Sequence, residues 1–253
     1  MMSKAVDRHP DGGRSISQEL KNFDTTGFPS KVVERCNKDG RLSFKAVELF
    51  NLEGLLYSRE VEHFDPKGVL SSNIAEYFET DGSIFYTVVK HFTRSRLCSE
   101  VTEHLNADGL LIYTFTKRFN MNCLSSMVAE SFKNGRLSLK VVKRFDTKTL
   151  LSCKATEHFD MDGLISTKDV EHFKTDSLLS CKVREKFDLD GLVWLIQVEH
   201  FNKGVLTSKV VERFNANRLI SKGVQRFDAK GLVSKVVEYF DANGMALRSS
   251  NLS

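Results

Sequence analysis

Histidine is the side chain here best suited to proton transfer, metal ligation or pH-dependent pairing, and its placement is regular. Six of the seven histidines, His63, His91, His104, His158, His172 and His200, stand directly before a phenylalanine or leucine. The same place is held elsewhere by Arg8, Arg35, Arg118, Arg144, Lys186, Arg213 and Arg226. Exchange of His with Arg argues against metal sites at the neighbouring pairs His158/His172 and His91/His104, because a guanidinium does not ligate metal. The column reads instead as a basic track for an elongated acidic partner, either a protein segment or a nucleic-acid backbone. One residue earlier lies a mainly acidic column that includes Glu34, Glu62, Glu103, Glu157, Glu171, Glu199, Glu212 and Glu238. A further basic column includes Lys31, Lys45, Lys140, Lys154, Lys168, Lys182, Lys209, Lys222 and Lys235. The plainer reading of these three columns is a solvated face with interleaved ion pairs. Because the acidic column would repel phosphate, a protein partner ranks above nucleic acid.

Other candidate chemistry is sparser. Trp194, followed by Leu195, interrupts a position usually held by serine, and Phe85-Tyr86 and Ile112-Tyr113 with Phe115 are similar bulky intrusions. They read either as local packing or as aromatic anchors of a binding groove, since Trp and Tyr dominate interface hot spots. Asp160-Met161-Asp162-Gly163 and Asp188-Leu189-Asp190-Gly191 look like calcium loops at first sight. An EF-hand needs a bidentate Glu six residues after its Gly, and those places hold Asp169 and Gln197, so both read as tight turns. Cys36, Cys98, Cys123, Cys153 and Cys181 are odd in number and lack CxxC spacing, which fits free thiols in a reducing compartment. Without a Gly-rich phosphate loop, a HExxH or a Ser-His-Asp order, the expectation is a non-enzymatic protein with no cofactor and no metal.

These residues are positioned by an internal repeat. Phe23, Phe50, Phe64, Phe78, Phe92, Phe119, Phe132, Phe145, Phe159, Phe173, Phe187, Phe201, Phe214, Phe227 and Phe240 lie on one ladder, 15 of the 19 Phe. The steps are 13 or 14 residues, with Cys36 and Leu105 as substituted rungs. The unit reads roughly Gly-Leu-Leu-Ser-Ser-Lys-Val-Val-Glu-His-Phe-Asp-x-Asp, and the expectation is one array over 1–253 with degenerate caps at 1–13 and 241–253. The first cap carries His9-Pro10 where Phe and Asp would stand.

Counting back from the Phe rung as position 0, the apolar columns fall at −8, −4, −3 and 0. That spacing lies on one stripe of a 3.6-residue helix, with Ser at −7 as N-cap and Asp/Asn…Gly after the rung as a stop. The predicted fold is therefore an all-α solenoid of single-helix units packed two per layer. Val pairs and Asp-Gly turns count against it and support the alternative, a β-solenoid or β-meander.

Composition excludes several classes. With 41% hydrophobic and 28% charged residues the chain is globular in character, and no apolar run reaches the ~20 residues of a membrane helix. The start of the chain lacks the apolar core of a secretory signal, so a cytoplasmic or nuclear protein is expected, without a membrane. A net charge of +4 does not by itself imply a polyanionic partner. The expected function is binding of an extended protein segment along one face, through the −1 basic residues from His63 to Arg226 and through Tyr86, Tyr113 and Trp194. Nucleic-acid binding and a structural, self-assembling rod are the alternatives.

Overall fold

A computed structural model describes residues 3–8, 14–23 and 29–252. Among them there is no helix, and every repeat unit is a β-strand. The predicted all-α solenoid is thus wrong, and the strand-based alternative, in its meander form, is what the chain adopts. The chain divides into two compact units, residues 1–124 and 125–253. The first is built from β1 (Ser3–Arg8), β2 (Arg14–Phe23), β3 (Pro29–Cys36), β4 (Leu42–Phe50), β5 (Leu56–Phe64), β6 (Leu70–Phe78), β7 (Ile84–Thr93), β8 (Arg96–Leu105) and β9 (Leu111–Asn120). The second is built from β10 (Cys123–Lys133), β11 (Arg136–Phe145), β12 (Leu151–Phe159), β13 (Ile165–Phe173), β14 (Leu179–Phe187), β15 (Val193–Asn202), β16 (Val205–Asn215), β17 (Arg218–Asp228), β18 (Gly231–Phe240) and β19 (Ala246–Leu252). Within each unit every strand pairs antiparallel with its neighbours in sequence.

The register explains the apolar columns that resemble a helix. Position −3 of one strand lies opposite −4 of the next, as in Val142↔Ala155 and Ala155↔Val170. Position 0 lies opposite −8, as in Phe145↔Leu151 and Phe159↔Ile165. The four columns are therefore two kinds of cross-strand pair, and such pairs are the unit of sheet stabilisation. The charged columns pair in the same way, −2 opposite −5, as in Glu157↔Lys168, and −1 opposite −6, as in His172↔Cys181. Side chains alternate along a strand, so this offset sends each column to opposite faces on successive strands. The same-sign stripes expected from helical stacking do not form; the −2/−5 rows mostly alternate acid and base instead, as in Glu157↔Lys168 and Glu171↔Lys182.

The two step lengths of the repeat are two kinds of hairpin. A 14-residue step carries a four-residue turn closed by a residue at positive φ, mostly Gly, such as Asp160–Gly163, where Gly163 has φ 85° and its N–H donates to the Asp160 carbonyl at 3.2 Å. The Asp160 carboxylate also accepts from the N–H groups of Asp162 and Leu164, both at 2.9 Å. This is the type I turn with a following left-handed residue, fixed by an Asx side chain. The same contacts recur at Asp188–Gly191, so the acidic turns act as backbone caps, in line with the tight-turn reading. Several 13-residue steps carry a two-residue turn with both residues at positive φ, such as Arg94 at 51° and Ser95 at 63°. That pattern is the type I′ turn, whose twist matches its flanking strands.

Each of these hairpins slips register between −1 and 0, which leaves the −7 residue of the following strand without a partner. The hydroxyl there turns back onto the −1 carbonyl: Ser71 donates to His63 at 2.9 Å, Ser152 to Arg144 at 3.0 Å and Ser180 to His172 at 2.9 Å. The serine column is therefore a β-bulge device, and its reading as a helix N-cap is corrected. The expected packing of helices two per layer is replaced by a single layer. Among the described residues, only consecutive strands touch within each unit. Among the described residues Ala46 is the one apolar side chain classed as buried, and no side chain is fully buried. At the ends, His9 and Pro10 lie outside the described residues, and residues 246–252 form β19, paired with β18.

Candidate functional site

The densest aromatic feature lies on one face of the first unit. Tyr77, next to last in β6, is opposite Tyr86 of β7, which is opposite His104 of β8, which is opposite Tyr113 of β9. Ring centroids are 5.3 Å apart for Tyr77–Tyr86, 4.6 Å for Tyr86–His104 and 5.8 Å for His104–Tyr113. Two residues along β9, Phe115 stacks on Tyr113 at 6.5 Å, with the Lys117 ammonium 5.4 Å from the Phe115 centroid. Lys117 is itself held by Glu100 at 2.6 Å. Adjacent cross-strand partners are ~5 Å apart, so four strands suffice to line up four rings. Among the described residues no other strand of the unit covers them, and all four stay half-buried.

Beside the ladder, at the turn between β6 and β7, is a cleft of about 280 Å³ lined by Glu79, Asp81, Ser83, Phe85, Leu105 and Asn106. The Ser83 hydroxyl, followed by the Ser83 N–H, donates to the Asp81 carboxylate and holds it below the usual carboxylate range. The cleft is thus anionic, with Phe85 as its exposed apolar wall. Among the described residues no group of three or more His, Cys, Asp or Glu is arranged to hold a metal ion.

The predicted basic column does not stay together. His63, His91 and Arg118 share a row on the face opposite the ladder, beginning Arg35–Phe44–His63. There Arg35 lies 5.1 Å over the Phe44 ring, and Phe44 meets His63 edge-on at 5.5 Å. His104 alone joins Tyr86 and Tyr113. In the second unit Arg144, His172, His200 and Arg226 occupy one face, while His158, Lys186 and Arg213 occupy the other. Trp194 takes the bulge position of β15, with the Lys186 ammonium 5.6 Å from its ring centroid. The sequence reading missed Tyr77, Phe44 and Lys117. Tyr77 is legible as an aromatic standing in the basic −1 column, whereas pairing Phe44 or Lys117 with its neighbour requires the register.

The charged rows are largely self-satisfied. Lys140–Glu130 at 2.9 Å, Lys168–Glu157 at 3.6 Å, Lys182–Glu171 at 3.3 Å and Lys222–Glu212 at 2.9 Å are cross-strand pairs. Arg184 grips Asp169 through two nitrogens at 2.7 and 3.0 Å. That hydrogen bond, reinforced by the Arg184 charge, holds the Asp169 carboxyl below its usual range despite opposing desolvation. Such half-exposed pairs contribute a few tenths of a kcal/mol each, so they specify register more than they stabilise.

No protein-family model matches the chain, and no curated protein does. Among solved structures it aligns with the crystal structure of TcdB2–TccC3 at 10% identity and a TM-score of 0.19, over 93% of this chain and 18% of that one. The TcdB2–TccC3–TEV structure gives 8% and 0.18 over 95% and 20%. The Photorhabdus luminescens Tc holotoxin pore with the TccC3 D651A mutation gives 9% and 0.18 over 93% and 17%. The chain spans about a fifth of each of these proteins, and similarity at this level carries no further conclusion.

Proposed function

We propose that this strand-repeat protein is a non-enzymatic scaffold that holds an extended protein segment against the aromatic face of its first unit. The observation that carries the reading is the Tyr77–Tyr86–His104–Tyr113 ladder, four adjacent rings on a face that no described element of the unit covers. Tyrosines supply large, stiff contact area at low entropic cost, which suits an anchor row. Glu79 and Asp81 at one border favour a segment bearing Lys or Arg over a phosphate backbone. The free thiols of Cys36, Cys98, Cys123, Cys153 and Cys181 support a reducing, intracellular setting as part of this reading.

The test is selection of peptides from a displayed library on the full chain, followed by titration against Tyr86→Ala/Tyr113→Ala. Selected peptides should lose at least about tenfold in affinity, the scale of a hot-spot pair. Peptides that bind the double variant equally well would overturn the reading. Tight binding of labelled single-stranded nucleic acid, weakening steeply with salt, would replace it with the stacking alternative.

A further inference from the structure

Strand β17 departs from the repeat at two places that share a face. Gly223 stands at −4, where most units carry Val or Ala, and Gln225 stands at −2, where most carry Glu. The backbone does not demand that glycine, because Gly223 lies outside the positive-φ region. Crowding does not demand it either. A Cβ there would meet its nearest neighbours, the Val211 carbonyl oxygen and Val237 Cγ2, at 3.9 Å, an ordinary contact. Glycine inside a strand weakens it, and often marks a place where a ligand comes close to the backbone.

What the glycine opens is a trough of about 300 Å³ on one face of the second unit. Gly223 is its floor, between Val211 of β16 and Val237 of β18. At one end stand Arg213, Ser221 and Tyr239, and at the other Lys209, Gln225 and Lys235. None of these residues is acidic. Glu199 of β15 holds Lys209 at 3.1 Å, whereas Arg213 and Lys235 have no ion-pair partner among the described residues. Gln225 is the reason for Lys235, since it replaces the glutamate that the repeat would set opposite that lysine. Ser221, between Arg213 and Tyr239, is 5% exposed and has no hydrogen-bond partner among the described residues.

We propose that this trough binds a narrow organic dianion, a linear dicarboxylate, laid along β17 with one carboxylate at Arg213 and the other at Lys235. The arginine fork matches a carboxylate and the lysine supplies a point charge, with the Tyr239 hydroxyl and the Gln225 amide as neutral donors beside them. The Arg213 and Lys235 rows are about 13 Å apart along the strands, which suits two charges joined by an apolar spacer better than one shared anion. Val211 and Val237 take that spacer out of water. Strands β16 and β18 stand about 10 Å apart, so the space between their side chains admits a single methylene chain. The trough lies in the second unit and does not rest on the aromatic ladder of the first.

The test is isothermal titration of the full chain, at low salt, with linear dicarboxylates from succinate to sebacate. The best of them should bind with a Kd of about 1 mM or tighter, and the monocarboxylate of equal length at least about tenfold more weakly. Arg213→Gln and Lys235→Gln should each lower affinity at least about tenfold, while Arg144→Gln on the opposite face should leave it unchanged. Gly223→Val fills the trough with the residue usual at that position, so it should raise the melting temperature and abolish binding. Absence of binding across the series would overturn the proposal. So would undiminished binding by Gly223→Val or Arg213→Gln, or equal affinity for the mono- and dicarboxylate.

Discussion

The same place in the repeat carries different chemistry in the two units. Where the first unit places Tyr77, Tyr86, His104 and Tyr113 along one row, the corresponding row of the second places Leu139, His158, Thr167, Lys186, Leu195 and Arg213. From β3 onward the backbone is common to both: −1 opposite −6 and a bulge at each described hairpin. The contrast shows that the hairpin frame carries stability while each row is free to change its contacts. Repeats that touch only their neighbours allow this freedom, because a substitution in one strand is felt two strands away at most.

Four measurements would break or sharpen that contrast. Phe78→Ala in the first unit and Phe159→Ala in the second should each cost about 2 kcal/mol in urea unfolding. That is less than the 3–5 of a closed core, because the rung is only half-buried. Values that differ by more than about 1 kcal/mol would show that the frames are not equivalent.

The turns supply the second measurement. Among the described residues, the five four-residue turns of the first unit close on Gly, whereas the second unit sets Thr149 and Ser177 at φ 63°. Thr149→Gly should raise stability by about 0.5–1 kcal/mol, and Gly54→Thr, at φ 81°, should lower it by about 1–2. Equal melting points for wild type and Thr149→Gly would mean that this turn carries no strain. Third, Ser71→Ala and Ser152→Ala should each cost about 0.5–1 kcal/mol by leaving a bulge carbonyl unpaired. A neutral effect at both sites would make the serine column incidental.

The smallest effect concerns the Asp169–Arg184 pair, which replaces aliphatic partners in the second unit. Its carboxyl is held below the ordinary value of 3.8 by the Arg184 hydrogen bond. The contribution is therefore complete above pH 3.8 and is lost as pH falls through the lower folded value. With Arg184 39% exposed, the contribution should be only a few tenths of a kcal/mol. Asp169→Asn should match wild type in acid and fall slightly short of it at neutral pH. A deficit that persists in acid would point to packing as the cause.

Much of this molecule can be read from its sequence, but not from the clue that first suggests itself. The Phe ladder, the −8/−4/−3/0 columns and the two step lengths are all visible. Apolar neighbours at −4 and −3 fit a helical stripe, and they also fit a sheet whose register sends one to each face. Val141-Val142 and Val210-Val211 favour the sheet by β-branching, as do Asp-x-x-Gly turns such as Asp65–Gly68, Asp160–Gly163 and Asp188–Gly191. What the sequence does not display is which columns share a face, since that rests on pairing −2 with −5 and −1 with −6. For this reason the basic column from His63 to Arg226, continuous on paper, is divided between faces, and Tyr86 meets Tyr77 rather than its sequence neighbours.

The column offset also constrains how such a gene can lengthen. Duplicating one unit of 13 or 14 residues would reverse the facing of every side chain beyond the insertion, because each column changes face from one strand to the next. Asp169 and Gln197 would then interrupt a valine row. Duplicating two units restores parity and leaves each row continuous. The heritable module is accordingly the hairpin of 26 to 28 residues, and lineages of this chain should differ by even numbers of strands.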